Sequence, residues 1–78
     1  MKTIFIAVLP HPGLRILGMS ESMETLPAVF ERCEVYAVRC SETTIEEART
    51  LLSKEHTADK ALGLLRRQAH SFTFVGNV

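Results

Sequence analysis

Hydrophobic and polar residues alternate along the chain in a pattern that predicts four β-strands. The first strand is apolar on both of its alternating faces, which is typical of a strand inside a sheet rather than at its edge. In the second, Gly18 predicts a bulge or an early end. The last carries Phe72 and Phe74 on one face. The predicted strands are Thr3–Leu9, Leu14–Met19, Glu34–Cys40 and Ser71–Val75.

Apolar residues spaced three and four apart predict three short helices between these strands. The first spans Leu26–Arg32, with Thr25 as its cap and Pro27 in its first turn. In the second, Thr43 and Glu46 match the Ser/Thr-x-x-Glu pattern of a capping box. The third helix begins after Thr57, which is predicted to cap it. The predicted buried stripes are Leu26, Val29, Phe30 and Cys33, then Ile45, Ala48, Leu51 and Leu52, then Ala58, Ala61, Leu62, Leu65 and Ala69.

These elements predict a small α+β protein in the order β-β-α-β-α-α-β. Four mainly antiparallel strands with three helices packed mostly on one face make the simplest two-layer arrangement. Seventy-eight residues are expected to form one domain, residues 1–78. The longest apolar run, Ile4–Leu9, is too short to span a bilayer and lacks the cleavage pattern of a secretory signal. We therefore expect a cytoplasmic protein that does not engage a membrane.

The charges are balanced in number but unevenly distributed. Nine basic and nine acidic residues give a net charge of zero, which removes the simplest argument for nucleic-acid binding. Between Glu21 and Glu47 seven acids face two arginines, whereas between Ala48 and His70 five bases face two acids. The sequence therefore predicts an acidic and a basic patch, or two ordinary solvated faces.

No recognisable catalytic or cofactor motif is present. Six residues separate Cys33 from Cys40, and neither they nor His11, His56 and His70 have the close pairing typical of zinc ligands. Small buried hydrophobes are the usual role of free cysteines. The sequence also lacks a glycine-rich phosphate loop and a nucleophile elbow. We accordingly predict no catalytic residue, no metal and no cofactor.

The remaining interpretation is a small non-enzymatic protein-binding module. Its size and lack of an active site favour an inhibitor from a phage or mobile element, such as an anti-CRISPR or similar anti-defence protein, that binds a host protein complex stoichiometrically. Either the acidic segment meets a basic surface, or the bases dock on an acidic partner. The predicted partner-binding residues are Glu42, Glu46, Glu47, Arg49, Lys60, Arg66 and Arg67.

Two alternatives from other classes remain. The basic residues of the predicted helical hairpin, Arg49, Lys60, Arg66 and Arg67, would suit a small nucleic-acid-binding regulator. The other alternative is a minimal enzyme, which requires a thiol close to a histidine. Self-association is a further expectation, because the closing strand is predicted at a sheet edge, so the protein is a monomer or a homodimer. Candidates for exposed apolar contacts are Leu14, Met19, Met23 and Leu64.

Overall fold

The computed structural model describes residues 1–10, 13–26, 33–53 and 58–77. Within them the chain forms a four-stranded antiparallel sheet and two α-helices, and the predicted α+β class is confirmed. A single turn of 3-10 helix, Met23–Thr25, follows the second strand. The strands are β1 (Lys2–Leu9), β2 (Arg15–Ser20), β3 (Glu34–Cys40) and β4 (Ser71–Asn77), and the helices are α1 (Glu42–Leu52) and α2 (Ala58–Gln68).

The sheet has the strand order β2-β1-β3-β4, and every neighbouring pair is antiparallel. The doubly apolar β1 lies inside the sheet, as its pattern predicts. The β1–β2 register shifts between Ala7 and Val8, and Ala7 pairs with Gly18 just before the shift. The pairing skips Leu17, so the irregularity lies next to Gly18, where the sequence predicts a bulge or an early end. The edges of the sheet are β2 and β4, and Phe74 on β4 is 52% exposed. Pairing of this edge with a second copy stays a prediction.

Both helices pack on one face of the sheet and bury a single core. Alternation within the strands places the apolar side chains of β1 and β3 on this face, where they meet the stripes of α1 and α2. Three aromatic rings pack together on the same face. The ring centroid of Tyr36 lies 5.0 Å from that of Phe72 and 5.5 Å from that of Phe74. The core residues are Ile4, Ile6, Val8, Val38, Cys40, Ile45, Ala48, Leu62, Leu64 and Leu65.

The opposite face of the sheet carries the other set of alternating residues. Ala7 and Val35 pair across β1 and β3, and both are buried. Phe5 is half-buried, whereas Arg39 and Thr73 are exposed. Because Thr73 shares this face, it lies on the side of the sheet away from both α-helices.

The helix predicted before β3 differs from the structure at Leu26, the one residue of that helix that the structure describes. Ser22 accepts a hydrogen bond from the backbone N–H of Glu24 at 3.2 Å and starts the 3-10 turn. Leu26, predicted as the first helical residue, is extended with φ −68° and ψ 137°. A following proline disfavours helical backbone, and Pro27 comes next. The rest of the predicted helix, residues 27–32, lies outside the described residues.

The start of α1 corrects the predicted capping box. Ser41, extended at φ −70° and ψ 156°, is the cap, and its Oγ accepts the backbone N–H of Thr44 at 3.2 Å. Thr43 lies inside the helix, so the prediction of a Thr43–Glu46 box is wrong. The earlier start buries Thr44, whose Oγ1 donates to Oε1 of Gln68 at 3.1 Å. This bond joins the beginning of α1 to the end of α2.

Substitution of Ser41 tests which residue caps α1. We expect Ser41→Ala to lower the free energy of unfolding by about 1 kcal/mol, because the N–H of Thr44 loses its acceptor. The matched control is Thr43→Ala, which removes the hydroxyl of the predicted cap and should change stability by less than about 0.5 kcal/mol. Urea unfolding followed by circular dichroism measures both. A larger loss for Thr43→Ala than for Ser41→Ala would contradict this assignment.

A candidate binding groove between the two helices

An open groove of about 1010 Å³ runs between α1 and α2. It lies on the helical layer, where both helices turn polar and charged side chains toward solvent. Its length follows the helices, which have 11 residues each and are therefore about 16 Å long. The residues that line it are Glu42, Thr43, Glu46, Glu47, Thr50, Leu51, Asp59, Lys60, Gly63, Leu64 and Arg67.

The α1 wall of the groove is acidic. Residues four apart on a helix share a face, and Glu42, Glu46 and Thr50 form one such row. Thr43, Glu47 and Leu51 form the adjacent row. All three carboxylates belong to exposed residues. Three of the predicted partner-binding residues are therefore brought together on one wall.

The α2 wall is mixed in charge, and the floor is apolar. Asp59, Gly63 and Arg67 form one row with four-residue spacing, and Lys60 and Leu64 form the next. Lys60 and Arg67 are exposed, whereas Leu64 is only 7% exposed. The groove thus joins an acidic wall, a wall with two bases and one acid, and a floor that includes Gly63 and Leu64.

One end of the acidic wall is tied to the sheet by Lys2. Its Nζ lies 2.8 Å from a carboxylate oxygen of Glu21 and 2.7 Å from one of Glu42. The hydrogen bonds and charges of the two carboxylates raise the pKa of Lys2, and the bond from Lys2 lowers the pKa of Glu21 and of Glu42. These groups are exposed, so the ion pairs orient the side chains more than they stabilise the fold.

The two remaining predicted residues, Arg49 and Arg66, lie outside the groove lining. Arg49 pairs with Glu46 one helical turn earlier, with an N–O distance of 3.1 Å. Arg66 lies over the ring of Phe72, 5.2 Å from its centroid, on the side of α2 toward β4. Of the four predicted bases, Lys60 and Arg67 line the groove. Arg66 does not, because it is six residues from Lys60 and therefore points to another side of α2.

The structure also places the apolar residues that were candidates for exposed contacts. Leu14 and Met23 are exposed at 41% and 40%, whereas Met19 is half-buried against the core. Leu64 belongs to the core, so the expectation that it is partly exposed is wrong. Leu64 directly follows Gly63 on α2. It lies where the core borders the groove lining.

Two thiols and one histidine are the cysteine and histidine side chains in the described part of the chain. Cys33 and Cys40 are free and buried, and burial raises the pKa of both thiols. Such thiols stay protonated and are poor nucleophiles. His70 is exposed, and its backbone N–H donates to the carbonyl of Arg39 at 2.7 Å. No group of three potential metal ligands occurs among the described residues; His11 and His56 lie outside them.

Comparison with known proteins adds no relative from which a role could be transferred. No protein-family model, no curated protein sequence and no solved structure matches the chain. Neither described α-helix has the length and apolar character needed to cross a bilayer. The functional interpretation therefore depends on the groove itself.

Proposed function

We propose that this protein is a non-enzymatic binding module that acts by stoichiometric association with another protein through the α1–α2 groove. The observation that carries the proposal is the groove's composition, in which charged walls flank the half-buried apolar side chain of Leu51. Apolar surface at the centre with charge at the rim is the usual arrangement of protein-binding surfaces. The raised pKa of Cys33 and Cys40 also favours binding over nucleophilic catalysis.

The charges favour a protein partner over nucleic acid. A nucleic-acid backbone requires a continuous basic surface, whereas three carboxylates line the α1 wall, two of them in ion pairs: Glu42 with Lys2 and Glu46 with Arg49. A basic segment of a protein is attracted to the same wall. A narrower hypothesis is retained within this class: an inhibitor encoded by a phage or mobile element, such as an anti-CRISPR, that covers a basic surface of a cytoplasmic host complex. It depends on the acidic wall.

Site-specific photo-crosslinking tests whether the groove binds a protein. Thr50 lines the groove and is exposed, so Thr50→benzoylphenylalanine places the reactive ketone beside any occupant. Thr73→benzoylphenylalanine is the matched control, because Thr73 is exposed on the sheet face away from the helices. We expect irradiation in a lysate of the cells that carry the gene to yield one protein adduct from position 50 and none from position 73.

Nuclease and protease treatment of the adduct separates the candidate functions. A protein partner gives an adduct that resists nuclease and is destroyed by protease. A nuclease-sensitive adduct would instead support the nucleic-acid-binding alternative, with Lys60 and Arg67 as its contacts. Absence of an adduct from position 50, or equal adducts from positions 50 and 73, would overturn the proposed function.

A further inference from the structure

Gly63 occupies a helix-interior position that the chain's own packing does not require to be glycine. Glycine is among the least favourable residues inside a helix, because it loses the most backbone freedom on folding. Among the described residues, a Cβ built at Gly63 would meet Nη1 of Arg67 at 3.3 Å, the far end of a flexible side chain that can shift by the few tenths of an ångström required. Alanine would therefore fit at this position, and the described fold supplies no packing reason for glycine.

The position of Gly63 suggests a reason outside the chain. Gly63 lies on the groove lining in the same row as Arg67, next to the row of Lys60 and Leu64. A residue without a Cβ exposes its backbone and allows another chain to approach closely. Gly63 is thus a point of close approach at the centre of α2, and the acidic wall lies across the groove from it.

The walls of the groove restrict the conformation that an occupant can adopt. An extended peptide gains affinity by pairing its backbone with a sheet edge. Both walls here are α-helices, whose interior N–H and C=O groups are already paired within α1 and α2. The walls therefore offer no backbone pairing within the helix interiors, which favours an occupant that pairs its own backbone groups. A helix does so, and a groove about 16 Å long accommodates three turns of one.

We propose that the groove receives an amphipathic helix of the partner protein, with a small residue packed over Gly63 and lysine or arginine along the flank that faces α1. Glu47 on α1 attracts that basic flank by charge complementarity, and Glu46 next to it is shared with Arg49. Leu51, which is half-buried on the groove lining, contacts the apolar residues of the docked helix. This inference names the partner of the proposed binding site and therefore rests on the proposed function.

Model helices test the chemistry of the occupant directly. The probes are three fluorescein-labelled peptides of about 15 residues, a length at which an isolated helix is still marginal, so two of them carry side-chain staples. The first is a stapled Ala/Leu helix with lysines along one flank, and the second has glutamates at the same positions. The third is the lysine peptide with two prolines in place of the staple. Fluorescence anisotropy measures binding to the full chain.

We expect the stapled lysine helix to bind at least about tenfold more tightly than either other peptide. Gly63→Ala should weaken this binding about tenfold, because a methyl group at a close helix crossing forces the chains apart. The same substitution should preserve or raise the melting temperature, which excludes unfolding as the cause. Arg66→Ala, on the same helix but outside the groove lining, is the control and should leave the affinity unchanged.

The inference is overturned if the glutamate or proline peptide binds as well as the lysine helix, if none binds, or if Gly63→Ala leaves the affinity unchanged. Photo-crosslinking at Thr50 distinguishes this failure from failure of the proposed function. A protein adduct there, without binding of the lysine helix, would keep the proposed function and reject the helical occupant. A crosslink between two copies of this chain would likewise reject the partner proposed here.

Discussion

Replacing Leu65 with alanine is expected to unfold a large fraction of the protein at room temperature. Leu65 is fully buried, and it lies in the core formed by α1, α2 and the sheet. Removing a buried leucine side chain to Cβ typically costs about 2–5 kcal/mol, the sum of lost burial and of the cavity left behind. A domain of this size has only about 3–5 kcal/mol of net stability, so the loss is comparable to the whole.

Urea denaturation followed by far-ultraviolet circular dichroism measures this effect. Leu14→Ala is the matched control, since it removes the same atoms from a side chain that is 41% exposed, and it should cost less than about 1 kcal/mol. The described core would be contradicted if both variants unfolded at the same urea concentration. A Leu65→Ala variant that keeps native ellipticity and its unfolding midpoint would also contradict it.

Strands were the most predictable part of the fold. Glu34–Cys40 has the bounds that its alternation predicts, and β1 lies inside the sheet because it is apolar on both faces. Both follow from a period of two residues, which depends only on neighbours along the chain. The closing strand extends to Asn77, beyond the predicted end at Val75, because pairing with β3 continues past the last alternating residue.

Helix starts were predicted less well because neighbouring residues compete for the same role. Ser41 and Thr43 are both good caps, and Thr43 was preferred because Glu46 follows at the capping-box spacing. The structure uses Ser41, which is extended directly after β3, and thereby buries Thr44 against Gln68. That contact spans 24 positions in the chain, so no local pattern reveals it.

The acidic half of the candidate site was accessible from sequence, and its apolar floor was not. Glu42 and Glu46 fall in one helical row and Glu47 in the adjacent row whatever the tertiary structure, and all three line the groove. Gly63 and Leu64 become part of the site only because α2 packs beside α1. The available signal was Gly63 itself, since a glycine inside an otherwise regular helical pattern asks for an explanation.

Reversing charge on the acidic wall should have the largest effect on partner binding. We expect Glu47→Lys to weaken the complex with the crosslinked partner at least about tenfold, and Glu46→Lys/Glu47→Lys to weaken it further. Each reversal replaces attraction for a basic flank with repulsion, and like charges held together at an interface cost several kcal/mol. Much of the loss should appear in the association rate, which surface plasmon resonance measures directly.

Glu24→Lys provides the matched control, because Glu24 is exposed and lies outside the groove lining. The same change in net charge there should alter the affinity less than about twofold. Raising the salt concentration from about 0.05 to 0.5 M should reduce the difference in affinity between the Glu47→Lys variant and the native chain, since exposed charges are screened within a few ångströms at high ionic strength.

If Glu47→Lys strengthens binding, the partner surface is acidic, and Lys60 and Arg67 become the residues that select it. If Glu24→Lys weakens binding as much as Glu47→Lys, the overall field of the protein guides association and the α1 wall has no specific role.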